Sequence, residues 1–385
     1  MHKPDYTGGG IVNLMASLQS GLGGERSAYA ESRTLGVAEI EDAKCVVLII
    51  VDGLGFEFLK SQAAAKFLNA SLRGALTSVF PSTTASAITT FLTGAAPQQH
   101  GVVGWHMYMR EMGAVITVLP GLARYGGPLL AESGIDFPAL LGNRGFAEKL
   151  GVASHMVMPK AICNSAYTLA HKGPAQVSGY DTLEDMFEQT LACVKGAAGR
   201  CYVHAYWPQL DFIGHRFGMG SAAADAAIGA FDQAFGAFIE RLEGTGTLVV
   251  LTADHGQIDT SPDDWITMSG DTPAGRHLAV PLCGEPRAAF CYPHASAREL
   301  FADAVSEIFG AHVLHESSTW VEDHWFGLGE PNPELRHRIG DYVLVPDGSR
   351  AVKDWLALER PYSLIGIHGG ATAEEMYVPL VTVAP

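Results

Sequence analysis

Positive charge is scarce in this chain. Across 385 residues, 25 Lys and Arg stand against 41 Asp and Glu, a formal net charge of −16. Binding a nucleic-acid backbone requires Lys and Arg in excess to neutralise phosphates, so a polymer binder of that kind is excluded. A small phosphorylated substrate is not, because bound metal ions can supply positive charge locally. Cysteine is sparse as well. Cys45, Cys163, Cys193, Cys201, Cys283 and Cys291 form no C-x-x-C pair, and several lie in apolar runs. This suits small buried thiols in a reducing compartment. No apolar run is long enough to span a bilayer, the longest being Cys45 to Val51. The apolar patch Ile11 to Leu18 is interrupted by Asn13 and Ser17 and follows no clear basic region, so it reads as a short docked helix and not a signal peptide. These absences lead to the expectation of a cytoplasmic protein without membrane or nucleic-acid partners, its oligomeric state left open. No internal repeat is evident.

What is present is a folded composition, 48% hydrophobic and 17% charged, long enough for one large α/β unit with insertions. Three β-branched runs read as strands buried on both faces: Cys45–Val51, Cys201–Trp207 and Thr247–Thr252. Helices are expected over Glu57–Leu68, Leu183–Lys195 and Ala297–Phe309. Another carries Ile228, Phe231, Phe235, Phe238, Ile239 and Leu242 on one face, a stripe that signals core packing. A strand is expected over Val152–Met158 and a closing one over Tyr377–Val383. Strands alternating with helices indicate a mostly parallel central sheet flanked by helices. The expected organisation is a core of residues 1–258 and 365–385, a lid-like segment over about 105–200, and an inserted α+β cap over 259–364.

Between a β-rich stretch and an apolar helical run lies Phe80-Pro81-Ser82-Thr83-Thr84, and the helix stops at Gly94. A threonine at a helix start can cap it. It can also be a nucleophile where free N–H groups favour an anion. The strands bear on that choice. The first runs into Asp52-Gly53-Leu54-Gly55, which lacks the third glycine of a dinucleotide loop. The second leads into a loop containing Asp211 and His215, and the third into Asp254-His255; His368 follows late in the chain. Each has a structural alternative as a capped turn or loop residue. Together, three carboxylates and three imidazoles at one sheet edge are too costly to gather without cations. The mixed O/N donors suit zinc first, with manganese or iron also fitting, and six ligands with open positions suit two ions about 3.5–4 Å apart. Two divalent cations bring four positive charges and the carboxylates three negative. A threonine alkoxide then makes the site neutral, and the cations lower the hydroxyl's pKa.

The chain resembles the alkaline phosphatase superfamily and, within it, the type I phosphodiesterase/nucleotide pyrophosphatase branch. The blocks occur in order: Ile50-Val51-Asp52-Gly53, Phe80-Pro81-Ser82-Thr83-Thr84, Leu92-Thr93-Gly94 with His100-Gly101, Asp211-Phe212-Ile213-Gly214-His215, Thr252-Ala253-Asp254-His255-Gly256 and Ile367-His368-Gly369. The resemblance implies one metal site of Asp211, His215 and His368, and a second of Asp52, Thr84, Asp254 and His255. Counting back from Thr93-Gly94 makes Thr84, not Thr83, the nucleophile. It would attack phosphorus in line, giving a phosphothreonine that water then hydrolyses. One departure concerns substrate binding. Many relatives place an asparagine three residues after the nucleophile to hold a phosphate oxygen, and here that residue is Ala87. Lys160, Asn164 and Ser165 are the candidate substitutes, each with an ordinary structural alternative. Phosphomonoesterase, phosphonate hydrolase and phosphomutase activities share such ligands, and a non-catalytic metal-binding member is a further alternative. No C/S-x-P-S/T-R block of a sulfatase occurs, and no arginine is evidently placed for a monoester's extra charge.

Overall fold

The computed structural model describes residues 1–357 and 359–385. Its centre is a seven-stranded sheet in the order Leu72–Thr77, Tyr377–Val383, Thr247–Thr252, Cys45–Val51, Cys201–Trp207, Ala153–Pro159, Gln176–Tyr180. Only Tyr377–Val383 runs against its neighbours. The three β-branched runs occupy the middle, where every residue is buried, as a two-sided parallel sheet requires. Cys45 pairs in register with Cys201 and Thr247, and Ile50 with Tyr206 and Thr252. The carboxyl ends of the three strands are therefore level, and whatever follows each strand is delivered to one edge.

Register also decides the chemistry of two cysteines. Cys45 and Cys201 face each other across adjacent strands, with Cα atoms 4.6 Å apart, and form a disulfide. The expectation of thiols throughout is corrected for this pair; Cys163, Cys193, Cys283 and Cys291 are free.

Helices form close to where periodicity places them: Ile11–Gly21, Leu183–Gly196, Ala222–Glu240 and Arg298–Phe309. Phe187 on the second of these meets Phe231, Phe235 and Phe238 on the third, at ring separations of 4.9 to 6.4 Å. The single helix expected over Glu57–Leu68 is two, Phe56–Ser61 and Lys66–Ala70. A tertiary contact accounts for the second start. The Asp232 carboxylate accepts hydrogen bonds from the N–H groups of Phe67 (3.1 Å) and Leu68 (2.8 Å), which a new helix leaves free.

A second, antiparallel sheet orders Leu314–Glu316, Tyr342–Leu344, Ala288–Pro293, Leu278–Glu285, His106–Met109, Ala114–Thr117 and Leu122–Ala123. The stretch 105–200 is thus divided. Its first strands complete the sheet built by residues 278–344, whereas Ala153–Pro159 and Gln176–Tyr180 belong to the central sheet and do not lie over it. A short ribbon, Ile258–Asp259 paired with Gly366–Ile367, carries the chain back to the edge where the central strands end. No helix among the described residues is long and apolar enough to cross a membrane.

Candidate metal centre and active site

Four segments meet at the carboxyl edge of the central sheet. Asp52 follows the first central strand directly, and Asp254-His255 follow the third after Ala253. The second leads into a helix, Gln209–Phe217, where a loop was expected. Asp211 and His215 are four residues apart, one helical turn, so both project from one face. Only Pro208 separates that helix from its strand. His368 arrives on the ribbon.

The donors converge. Asp211, His215 and His368 form one group whose ligand atoms lie within 4.8 Å of one another, and Asp52, Asp211 and His255 form a second. Asp211 belongs to both. His215 Nε2 is 3.3 Å from Asp211 Oδ2, and His368 Nε2 is 3.7 Å from Asp211 Oδ1. His255 Nε2 lies 3.4 Å from both Asp52 Oδ1 and Asp254 Oδ2. The His255 and His368 rings stack with centroids 3.7 Å apart.

Two observations show that this donor set fits divalent cations. All three imidazoles turn Nδ1 to a backbone carbonyl: His215 to Gly366 (2.7 Å), His255 to Gly256 (3.1 Å) and His368 to Ser82 (3.3 Å). With Nδ1–H donating, each Nε2 carries a lone pair aimed into the centre, the arrangement that orients metal-binding histidines. Secondly, Asp52 Oδ1 and Asp254 Oδ2 are buried without a hydrogen-bond partner among the described residues. Orphaned carboxylate oxygens are costly, and cations would satisfy both.

The electrostatics agree. Burial, then the neighbouring carboxylates of Asp254 and Asp211, push the Asp52 carboxyl well above its ordinary range. Burial also raises Asp254. For Asp211 burial acts in the same direction, but His215, helped by His368 and His255, holds it well below the usual carboxylate range. Burial would lower His215, yet Asp211 beside it brings it up to about 9. Burial and the other imidazoles depress His368. Three mutually repelling carboxylates kept together in a dry site call for positive charge.

Thr84 is the first residue of the helix Thr84–Thr93, which ends at Gly94 in the left-handed conformation. The preceding residue is Thr83, whose hydroxyl does not cap the helix; it donates to Glu285 Oε1 at 2.6 Å. The Thr84 hydroxyl lies 3.0 Å from His255 Nε2. The two adjacent threonines therefore point to different partners, and Thr84 is the one set against the Asp/His cluster. Ala87 is fully buried and offers no donor.

The proposed substitutes for an asparagine at 87 are not at the site. Lys160 pairs with Asp181 at the surface, 3.0 Å away, Ser165 caps the helix Ala166–His171, and Asn164 is exposed. None of them lines the cavity of about 450 Å³ that opens beside Thr84, Asp211, His215 and His368. Lys160 follows the strand Ala153–Pro159 and Ser165 stands immediately before the helix it caps, and in both places a neighbouring partner takes the side chain.

Several residues around the centre escaped sequence reading. Tyr206 donates its hydroxyl to Asp52 Oδ2, and Gln257 donates to Asp211 Oδ1. The Asp254 Oδ1 atom accepts from the N–H groups of Gly53 (3.2 Å) and His255 (3.0 Å). Gly53 has φ +76°, and a Cβ there would stand 3.0 Å from Asp211 Cα, so only glycine allows the first and second strands' loops to approach so closely. Glu285, buried on the second sheet, also accepts from Trp105 N–H at 2.7 Å, and burial pushes its carboxyl up to about 7. Glu285 could have been read only from its place at the end of the strand Leu278–Glu285, which carries no chemical signature.

Comparisons with known proteins bear on the fold and the family. The family model for type I phosphodiesterase / nucleotide pyrophosphatase matches residues 46–369. No curated protein matches the sequence. Among solved structures, murine ectonucleotide pyrophosphatase/phosphodiesterase 5 is similar at a TM-score of 0.65 and 19% identity, with 88% of each chain covered. The human protein of that name gives 0.65 and 18%, again over 88% of each chain. Phosphonoacetate hydrolase from Sinorhizobium meliloti gives 0.61 and 18%, over 89% of this chain and 90% of its own. At such identities the structural likeness establishes the alkaline-phosphatase-like fold, while the match over most of the chain establishes more: this chain belongs to the type I phosphodiesterase/nucleotide pyrophosphatase family.

Proposed function

We propose that the protein is a two-metal phosphodiesterase or nucleotide pyrophosphatase that works through a covalent phosphothreonine at Thr84. The observation that carries this reading is the Thr84 hydroxyl, 3.0 Å from His255 Nε2 and facing a set of Asp and His donors with orphaned oxygens. Asp211, His215 and His368 would hold one divalent cation, and Asp52, Asp254 and His255, with Thr84, the other; zinc suits these donors first, manganese or iron next. Such cations, when bound, lower the pKa of the threonine hydroxyl and offset the charge of the phosphoryl group. The chain's own residues do the rest. Thr84 is presented at the start of a ten-residue helix, whose first N–H groups face an incoming oxyanion. Tyr206, Gln257 and the Gly53 N–H hold the carboxylates in place. The three Nδ1–H···O=C bonds fix each imidazole, so no ligand must reorganise on binding.

The relatives support the substrate class. An inactive Thr→Ala form of the murine protein is described in complex with AMP, and the bacterial hydrolase in complex with phosphonoacetate. Both are small phosphorus-containing anions. A monoesterase or phosphonate hydrolase is the second reading, favoured by the absence of a donor at Ala87 and by the likeness to phosphonoacetate hydrolase.

Hydrolysis of three nitrophenyl esters by metal-loaded protein separates these readings: a nucleotide diester, a simple diester and a monoester. The diesters should be preferred, and Thr84→Ala should lose at least about a thousandfold in turnover. Preference for the monoester would reject the diesterase reading. Unchanged turnover by Thr84→Ala would reject the nucleophile.

A further inference from the structure

Most of the Asp and His donors reach the centre from the central sheet. Asp52, Asp254 and His255 lie just past strand ends, and Asp211 and His215 ride on a helix that one proline separates from its strand. His368 does not come this way. It arrives on the ribbon of Ile258–Asp259 with Gly366–Ile367, which is two residue pairs long. So short a pairing leaves the placement of the imidazole to whatever holds the chain just beyond it. There Gly370 is held from both sides. Its carbonyl accepts from Ser82 Oγ at 2.8 Å, and its N–H donates to Glu375 Oε1 at 2.8 Å. The fit is tight: a Cβ on Gly370 would stand 2.7 Å from one Glu375 oxygen and 2.8 Å from the other.

Glu375 is fully buried and makes more bonds than a helix start requires. It is the third residue of the short helix Ala373–Met376. Its Oε2 accepts from the Thr372 N–H at 3.2 Å, and Thr372 Oγ1 accepts from the Glu375 N–H at 3.3 Å. Such a reciprocal cap is common and needs no burial. It does not explain Arg287, which is buried in the turn between Leu278–Glu285 and Ala288–Pro293. The Arg287 Nε and Nη2 atoms each meet one Glu375 oxygen at 3.3 Å. Arg287 is itself fixed, with Nη1 donating to the carbonyls of Pro346 and Arg350. The main chain of Glu375 adds a link, since its carbonyl accepts from the Gly256 N–H, next to His255, at 2.9 Å. One buried residue therefore holds the chain behind His368, the chain behind His255 and, through Arg287, the second sheet.

We propose that Glu375, anchored by Arg287, is a positioning residue that sets His368 against His255 and so fixes the separation of the two cation sites. The inference rests on the metal-centre reading of the Asp/His cluster. His368 belongs to one ligand group and His255 to the other, and their rings stack. Glu375 is bonded to the chain two residues after the first and one residue after the second. The carboxylate and the guanidinium hold each other, because removing either leaves the other as an unpaired buried charge. A shift of the carboxylate moves Gly370, and with it His368, relative to donors that the central sheet keeps in place. Metal affinity responds steeply to the groups behind the ligands, by about 10- to 100-fold.

Titration of the protein with manganese, followed by electron paramagnetic resonance, tests this. Two Mn2+ ions about 3.5–4 Å apart give the spectrum of a spin-coupled pair, distinct from that of isolated ions. The unaltered protein should bind two ions and show the coupled spectrum. In Glu375→Gln the affinity for one of the two should fall about 10- to 100-fold, and the coupled spectrum should give way to that of isolated ions. Glu375→Asp keeps the charge opposite Arg287 and withdraws it by one methylene; it carries the same expectation if Glu375→Gln does not fold. Asp232→Ala, which removes the cap of the helix Lys66–Ala70, should lose stability and still keep both ions and the coupled spectrum. Unchanged affinities and an unchanged coupled spectrum in the folded Glu375 variant would overturn the proposal. So would an equal loss in Asp232→Ala, which would trace the effect to stability alone. Failure of the unaltered protein to bind two manganese ions would reject the metal-centre reading, and the proposal with it.

Discussion

Two adjacent threonines illustrate how finely function is divided at the scale of one residue. Thr83 and Thr84 have the same side chain, but one step along the chain turns the first hydroxyl to Glu285 and the second to His255. Removing Thr83's hydroxyl should cost about 1–2 kcal/mol in stability and less than about tenfold in turnover, unlike the loss expected for Thr84. Urea unfolding and steady-state kinetics on Thr83→Ala check this pair of outcomes. Tyr206 makes a complementary case. Its hydroxyl is the donor to Asp52 Oδ2, so Tyr206→Phe leaves a metal-ligand carboxylate less well held. Metal affinity should fall by about 10- to 100-fold, read by competition with a chromophoric chelator. An unchanged affinity would show that Tyr206 only fills space.

Among elements, the helix Lys66–Ala70 depends on a single remote carboxylate. Asp232→Ala should cost about 1–2 kcal/mol of stability, the usual worth of a helix cap, without altering turnover. The same example shows what could not be read from sequence. Buried strands and long amphipathic helices were legible because period and β-branching act locally, and the residues just past the strand ends, Asp52 and Asp254, came with them. The break in Glu57–Leu68 was not, since its cause lies 165 residues away on Asp232. The helix Gln209–Phe217 was hidden by Pro208 and by a short, half-polar pattern, although the four-residue spacing of Asp211 and His215 is itself helical. The partnership of Cys45 with Cys201 follows from strand register, which spacing along the chain does not encode. Glu285 comes from the second sheet and Lys353, which also lines the cavity, from a separate two-stranded pairing with Trp265–Thr267, and they converge only in three dimensions. For that reason the seven-residue cluster was legible in sequence and the rest of the cavity was not.

At the scale of the whole molecule, two properties should couple to folding. His204 lies on a central strand with both ring nitrogens buried and without a partner among the described residues, and burial holds its pKa down at about 4. An unfolded histidine titrates near 6.5, so between these values the unfolded chain binds more protons. Stability from this residue is therefore full above about pH 6.5 and is lost as pH falls toward about 4. His204→Leu removes the orphaned nitrogens and should stabilise the protein, more at pH 5 than at pH 8, in urea unfolding at the two pH values. An equal effect at both would contradict the assignment. Cation binding is the second coupling. Each ion held a hundredfold above its Kd adds about 2.7 kcal/mol, so chelation should lower the Tm and reloading should restore it. The most direct test of the central claim is to trap the reaction on Thr84. Metal-loaded protein mixed with an excess of the nitrophenyl nucleotide diester, quenched in acid and analysed by peptide mass spectrometry, should carry the nucleotidyl phosphoryl group on Thr84. The group on Thr83 or another side chain, or no adduct at Thr84 under conditions that trap burst-phase intermediates, would contradict it.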